Sequence, residues 1–158
     1  MDLYFLEPEV AGGHGEKTVY GTKKDIEMEG ISGKVKFLHY EIEGWLGDDL
    51  LEATPAFIIS GRVENELRKS KFKDYKVEEC LVTTSNEFKE LYQNKKIPSF
   101  CRFIPLGTIE VIEDNFTKWS GHHFCLSSKG ELVVTKEALD FLQKFSMENC
   151  DIEILKQL

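Results

Sequence analysis

Long apolar runs are missing from this chain: stretches such as Ala56 to Ile59 fall far short of the ~20 residues that a membrane-crossing helix needs. A membrane protein is therefore not expected. The first residues, Met1-Asp2-Leu3-Tyr4-Phe5-Leu6-Glu7, place an acid where a secretion signal has a basic start, and no apolar stretch with a small-residue cleavage site follows. The expected location is the cytoplasm. Cysteine is scarce as well. Cys80, Cys101, Cys125 and Cys150 lie far apart in apolar stretches, so neither a disulfide framework nor a Cys-x-x-Cys metal motif is implied, and packing as unpaired core residues is expected. No basic cluster interleaved with aromatic residues is present, which disfavours nucleic-acid binding.

What is present is the composition of an ordinary globular domain, with 41% hydrophobic and 30% charged residues. At 158 residues the whole chain, 1–158, fits one domain that can bury about 70% of its unfolded surface without a staple. The net charge of −8 is unevenly placed. Residues 1–53 hold twelve acids against five bases, whereas residues 54–158 are nearly balanced at sixteen against fifteen. An acidic face repels phosphates and steers basic protein surfaces toward itself.

An internal repeat runs at an offset of 75 residues, with copies near 56–82 and 131–155. Phe57-Ile58-Ile59-Ser60 matches Leu132-Val133-Val134-Thr135, Val63 and Leu67 match Ala138 and Leu142, and Val77-Glu78 matches Ile152-Glu153. Each copy reads as strand, helix, strand. Ser60 or Thr135 can accept a hydrogen bond from the first free amides of the helix, and the apolar residues that follow recur at three- and four-residue spacing. The second strands are read as Tyr75 to Val82 and Cys150 to Leu155, and a parallel pairing within a unit would require a right-handed crossover.

Elsewhere, Asp2 to Glu7 and Val35 to Glu43 read as strands. Ala11 to Gly33, with six glycines among charged residues, reads as a long loop or a partly ordered excursion. Ser85 can cap a short helix bearing Phe88, Leu91 and Tyr92; Phe100 to Leu106 and Thr108 to Ile112 read as strands around Gly107; Ser127 to Gly130 reads as a hairpin turn. The expected class is α+β, a mixed sheet with a duplicated strand-helix-strand unit packed by two or three short helices.

Chemical motifs are weak. Gly12-Gly13-His14-Gly15-Glu16-Lys17-Thr18 has the look of a phosphate-binding loop, but Glu16 stands where a glycine must precede Lys-Thr. His122, His123 and Cys125 could serve a small metal- or thiol-dependent enzyme; on a strand His123 and Cys125 would share a face and His122 would oppose them. No catalytic set, metal site or cofactor is expected from these residues. The segment most like a recognition surface is Glu41-Ile42-Glu43-Gly44-Trp45-Leu46-Gly47-Asp48-Asp49, in which glycines bracket an aromatic residue between acids. Glu41, Glu43, Trp45, Asp48 and Asp49 are the candidate partner-binding residues. A structural alternative makes Trp45 a core plug at a corner and Asp48 the cap of a helix over Asp49 to Ala53.

Taken together, Leu6-Glu7-Pro8-Glu9-Val10-Ala11-Gly12-Gly13, His39-Tyr40, Gly44-Trp45-Leu46-Gly47-Asp48-Asp49-Leu50-Leu51-Glu52, the Ile58-Ile59-Ser60 step and the closing Leu132 to Thr135 and Asn149 to Asp151 segments resemble bacterial polymorphic-toxin immunity proteins. The nearest group is immunity protein 11, with immunity protein 43 as an alternative. The resemblance implies a non-catalytic cytoplasmic protein that binds a cognate toxin domain and blocks its active site or substrate groove. Charge points to a basic, nucleic-acid-cutting toxin. The remaining alternative is a regulatory interaction module that uses a free strand edge.

Overall fold

The computed structural model describes all of residues 1–158. Strands β1 (Asp2–Glu7), β2 (Gly12–His14) and β3 (Val19–Tyr20) precede helix α1 (Lys23–Glu29) and a 3-10 turn over Gly30–Lys34. Strands β4 (Val35–Phe37), β5 (His39–Ile42), β6 (Leu50–Ala53) and β7 (Ala56–Ser60) lead to α2 (Gly61–Lys69), β8 (Tyr75–Glu78), β9 (Leu81–Thr84) and α3 (Asn86–Leu91). The rest of the chain forms β10 (Phe100–Pro105), β11 (Gly107–Ile112), β12 (Asn115–Thr117), β13 (Phe124–Ser127), β14 (Leu132–Val134), α4 (Lys136–Leu142) and β15 (Asp151–Gln157). The fold is α+β. No helix is long and apolar enough to cross a membrane.

Both copies of the repeat are strand-helix-strand, and strand register confirms the match. The two strands of each copy are parallel but do not pair, because a third strand enters between them in the opposite direction. In the first copy that strand is β10, where Arg102 faces Ile58 and Glu78 and Phe103 faces Phe57 and Val77. In the second it is β1, where Phe5 faces Val133 and Glu153 and Leu6 faces Leu132 and Ile152. Each flanking residue of the second copy is the residue 75 positions after its counterpart in the first.

Register extends the duplication well past the repeat. In the two hairpins, Leu51 faces Ile58 and Cys125 faces Val133. Tyr40 lies between His14 and Val82, as Phe116 lies between Val111 and Gln157. A parallel bridge from Glu9 to Leu51 matches the one from Gly107 to Cys125. The two tryptophans match too: each indole N–H donates to the carbonyl three residues on, Trp45 to Asp48 and Trp119 to His122, both at 2.9 Å. The chain is thus two units, β1–β9 and β10–β15, joined by α3, and each unit lends its first strand to the other's sheet.

Strand alternation divides the apolar residues among three cores. Phe57 and Ile59, with Leu132 and Val134, face a central core of 15 buried residues that takes Val63 and Leu67 from α2 and Ala138, Leu139 and Leu142 from α4. Each large aliphatic side chain buried there contributes about 1.5–3 kcal/mol. On the opposite faces, Ile58 and Leu51 join a ten-residue core of the first unit, and Val133 and Cys125 join a six-residue core inside a closed barrel of the second.

Four expectations need correction. Ala11 to Gly33 is not a loop: it contains β2, β3, α1 and the 3-10 turn, with Thr22 and Asp25 forming a reciprocal capping box at α1. Gly21 and Gly33 permit that compactness, since a Cβ on Gly21 would stand 1.8 Å from the Gly33 carbonyl oxygen. The strand expected over Tyr75 to Val82 breaks at Glu79-Cys80, because β9 leaves to pair with β5. The strand expected over Val35 to Glu43 likewise splits at Leu38. Finally, Thr135 caps α4 through Ala138, but the Ser60 hydroxyl donates instead to Asp49 at 2.6 Å.

Candidate functional site

Asp48 and Asp49 do not form an exposed acidic rim. They are 1% and 4% exposed, and they fasten the first unit to the loop after α4 in the second. Asp48 accepts from the Asn149 amide N–H at 2.9 Å and from its side-chain Nδ2 at 3.0 Å. Asp49 accepts from the Ser146 amide at 2.8 Å, the Ser60 hydroxyl and the Arg62 guanidinium. Burial works against ionisation of Asp49, but Arg62, Ser60 and Ser146 outweigh it and hold the carboxyl below its usual range. No helix follows Asp48; Leu50–Ala53 is the strand β6, paired with β7.

The second unit makes the reciprocal contact with different chemistry. His123, in the place of Asp49, lies edge-on to Phe72 at 4.9 Å and is hydrogen-bonded to Thr135 at 2.7 Å. Asp74, in the loop after α2, accepts from the Phe124 amide at 2.9 Å. Each unit's hairpin is therefore pinned to the other unit's post-helix loop.

His122, His123 and Cys125 do not converge. His123 precedes β13, so strand alternation does not apply to it, and its ring meets the central core while Cys125 lies in the barrel, 1% exposed. The His122 ring turns to Ser120, and the Cys125 thiol donates to the His122 carbonyl at 3.4 Å. Burial pushes the thiols up, Cys80 and Cys125 to about 11 and Cys101 and Cys150 to about 12, so all four stay protonated near neutrality. No group of three or more His, Cys, Asp or Glu side chains gathers in metal-binding geometry.

Trp45 packs against the first unit's core, edge-on to Phe100, and Lys95 lies over its ring at 5.5 Å. Because Trp119 makes the same indole bond, Trp45 belongs first to the shared frame. Beside it Glu9, 4% exposed, accepts from the Leu46 amide at 2.6 Å and the Asp48 amide at 3.1 Å. Burial, only partly offset by those two amides, raises the Glu9 carboxyl above its usual value. The Ala11 carbonyl accepts from the Glu43 and Gly44 amides at 2.8 and 3.0 Å.

An outer surface lies over this network. Glu43 is exposed and Glu41 half-buried on β5, with Val10 67% and Leu46 72% exposed beside them. Lys95 spans the rings of Trp45 and Tyr92, extending the surface to the segment after α3. Of the expected partner-binding residues, Glu41, Glu43 and Trp45 lie at or beside this surface with Leu46 of the same segment, and the structure adds the exposed Val10 and Tyr92, which the sequence did not single out for binding. A separate cleft of about 510 Å³ lies between residues 26–32 and the second unit, floored by Leu106, Ile109 and Leu126.

The chain matches no family model and no curated protein.

Proposed function

We propose that this is an immunity protein that binds and neutralises a cognate bacterial toxin domain by covering its active site or substrate groove. The carrying observation is the exposed surface of Glu41, Glu43, Val10 and Leu46, in which the Leu46 amide is bonded to the buried Glu9 carboxylate and the Glu43 amide to the Ala11 carbonyl. Exposed apolar side chains among acids on a pre-ordered backbone favour tight association, because little flexibility is lost on binding. The partner that fits is a basic toxin surface, as on a nuclease.

The resemblance to the immunity groups supports the same reading, with one refinement. Glu9, Tyr40, Asp48 and Asp49 from its motifs are buried and bonded to one another's segments or across the two units, so those motifs describe the frame. Recognition of a particular toxin falls to exposed residues between them. The buried, protonated Cys125 and its separation from the His123 ring give no support to a thiol enzyme.

Co-expression with a toxin gene encoded beside this one tests the proposal. Rescue of growth with co-purification of the toxin domain is the expected result; persistent toxicity without co-purification rejects the pairing.

A further inference from the structure

The geometry points to an oxyanion-binding site, of the phosphate or carboxylate class, in the cavity that Arg102, Lys36 and Lys76 bound between the first unit's sheet and the chain after α1. The cavity measures about 410 Å³, and Ser32 and Val35 form part of its wall.

Arg102 occupies the position that Phe5 occupies in the other unit, so a cation replaces an apolar ring in an otherwise matched frame. Its residue exposure is 2%. The guanidinium donates to two neutral carbonyls, Val35 at 2.6 Å and Ser32 at 3.0 Å, while its Nε has no hydrogen-bond partner. The nearest carboxylate is Glu78 at 3.8 Å, beyond hydrogen-bond length, and Glu78 also serves Lys76 at 3.4 Å. Lys36 reaches a carboxylate only in Asp25, at 3.8 Å. Glu29 and Glu78 line the cavity too, so that with Asp25 beside Lys36 three carboxylates surround the three cations, none of them within hydrogen-bond length of the Arg102 guanidinium.

A buried guanidinium with no hydrogen-bonded carboxylate keeps part of its desolvation cost, and an anion placed among the three cations offsets it. Because Ser32, Val35 and Lys36 come from the chain after α1 while Lys76 and Arg102 come from β8 and β10, a bound oxyanion bridges the two. Its energetic effect is to clamp the segment that the second unit lacks onto the first unit's sheet.

The probe is inorganic phosphate, titrated against sodium chloride at matched ionic strength with the melting temperature as readout. Saturable stabilisation of about 3 °C at tenfold excess over Kd is expected. The double variant Lys36→Ala/Lys76→Ala, changed at two exposed positions, should keep the fold and lose the response. Acetate identifies the class member: stabilisation by phosphate alone assigns a phosphate-like ligand, and equal stabilisation by acetate assigns a carboxylate. Equal shifts in phosphate and chloride, or an undiminished response in the double variant, would overturn the site.

Discussion

The second unit closes five of its strands and the borrowed β1 into a barrel around six buried side chains, whereas the first spreads equivalent strands over a four-stranded and a three-stranded sheet. Two local differences produce this divergence. The second unit's last strand, β15, runs unbroken for seven residues and carries β12 on its far end, but the equivalent chain in the first unit breaks at Glu79-Cys80 into β8 and β9. Between the paired residues His14 and Tyr40 lie 25 residues, against four between Val111 and Phe116. Those added residues build β3, α1, the 3-10 turn and β4. The comparison separates the strands and pins that both units share from the segment that the first unit has alone.

The largest difference is expected between the two units' cores. Phe116→Ala, in the small closed barrel, should cost about 3–5 kcal/mol in urea unfolding because six buried residues have little room to collapse around the cavity. Tyr40→Phe at the matched position removes only a hydroxyl that accepts from the Ala11 amide and donates to the Glu52 carbonyl, both at 3.0 Å, and should cost about 1–2 kcal/mol. A larger loss for Tyr40→Phe would mean that the first unit's core depends on polar pinning more than on packing.

The cross-unit pins come next. Asp49→Ala leaves the Ser60 hydroxyl and the Ser146 amide without their acceptor and should destabilise by about 2–4 kcal/mol, while His123→Ala, which removes one hydrogen bond and one ring contact, should cost about 1–2 kcal/mol. Equal losses would show the two pins to be interchangeable. A pH series sharpens the same contrast. The Asp49 carboxyl lies below the usual aspartate value of 3.8, so its contribution is complete above that value and fades as pH falls through the lower folded value. Wild-type protein should therefore lose more stability than Asp49→Asn between about pH 4 and pH 2.

The 75-residue repeat was legible because no insertion interrupts it and its strands and helices keep their apolar spacing. The wider duplication was not, because the residues added between His14 and Tyr40 shift the offset: Phe5 corresponds to Arg102 but Tyr40 to Phe116. Trp45 and Trp119, each ahead of a hairpin, were the surviving clue. The acids at 48 and 49 looked like a solvent-facing rim because the groups they satisfy, Asn149 and Ser146, lie about 100 residues away in sequence. Pattern reasoning sees neighbours along the chain, and here the decisive neighbours come from the other unit.

The most direct test compares toxin binding by two charge-altered proteins. Glu43→Lys/Leu46→Asp changes the surface assigned to recognition, and Glu113→Lys/Ile112→Asp makes the same exchange of one acid and one apolar residue at the exposed end of β11 and its turn in the second unit. With melting temperatures unchanged in both, the first should weaken affinity for the cognate toxin roughly 100-fold and the second less than about threefold. Equal effects, or a larger effect from the second-unit variant, would contradict the division of labour between the two units.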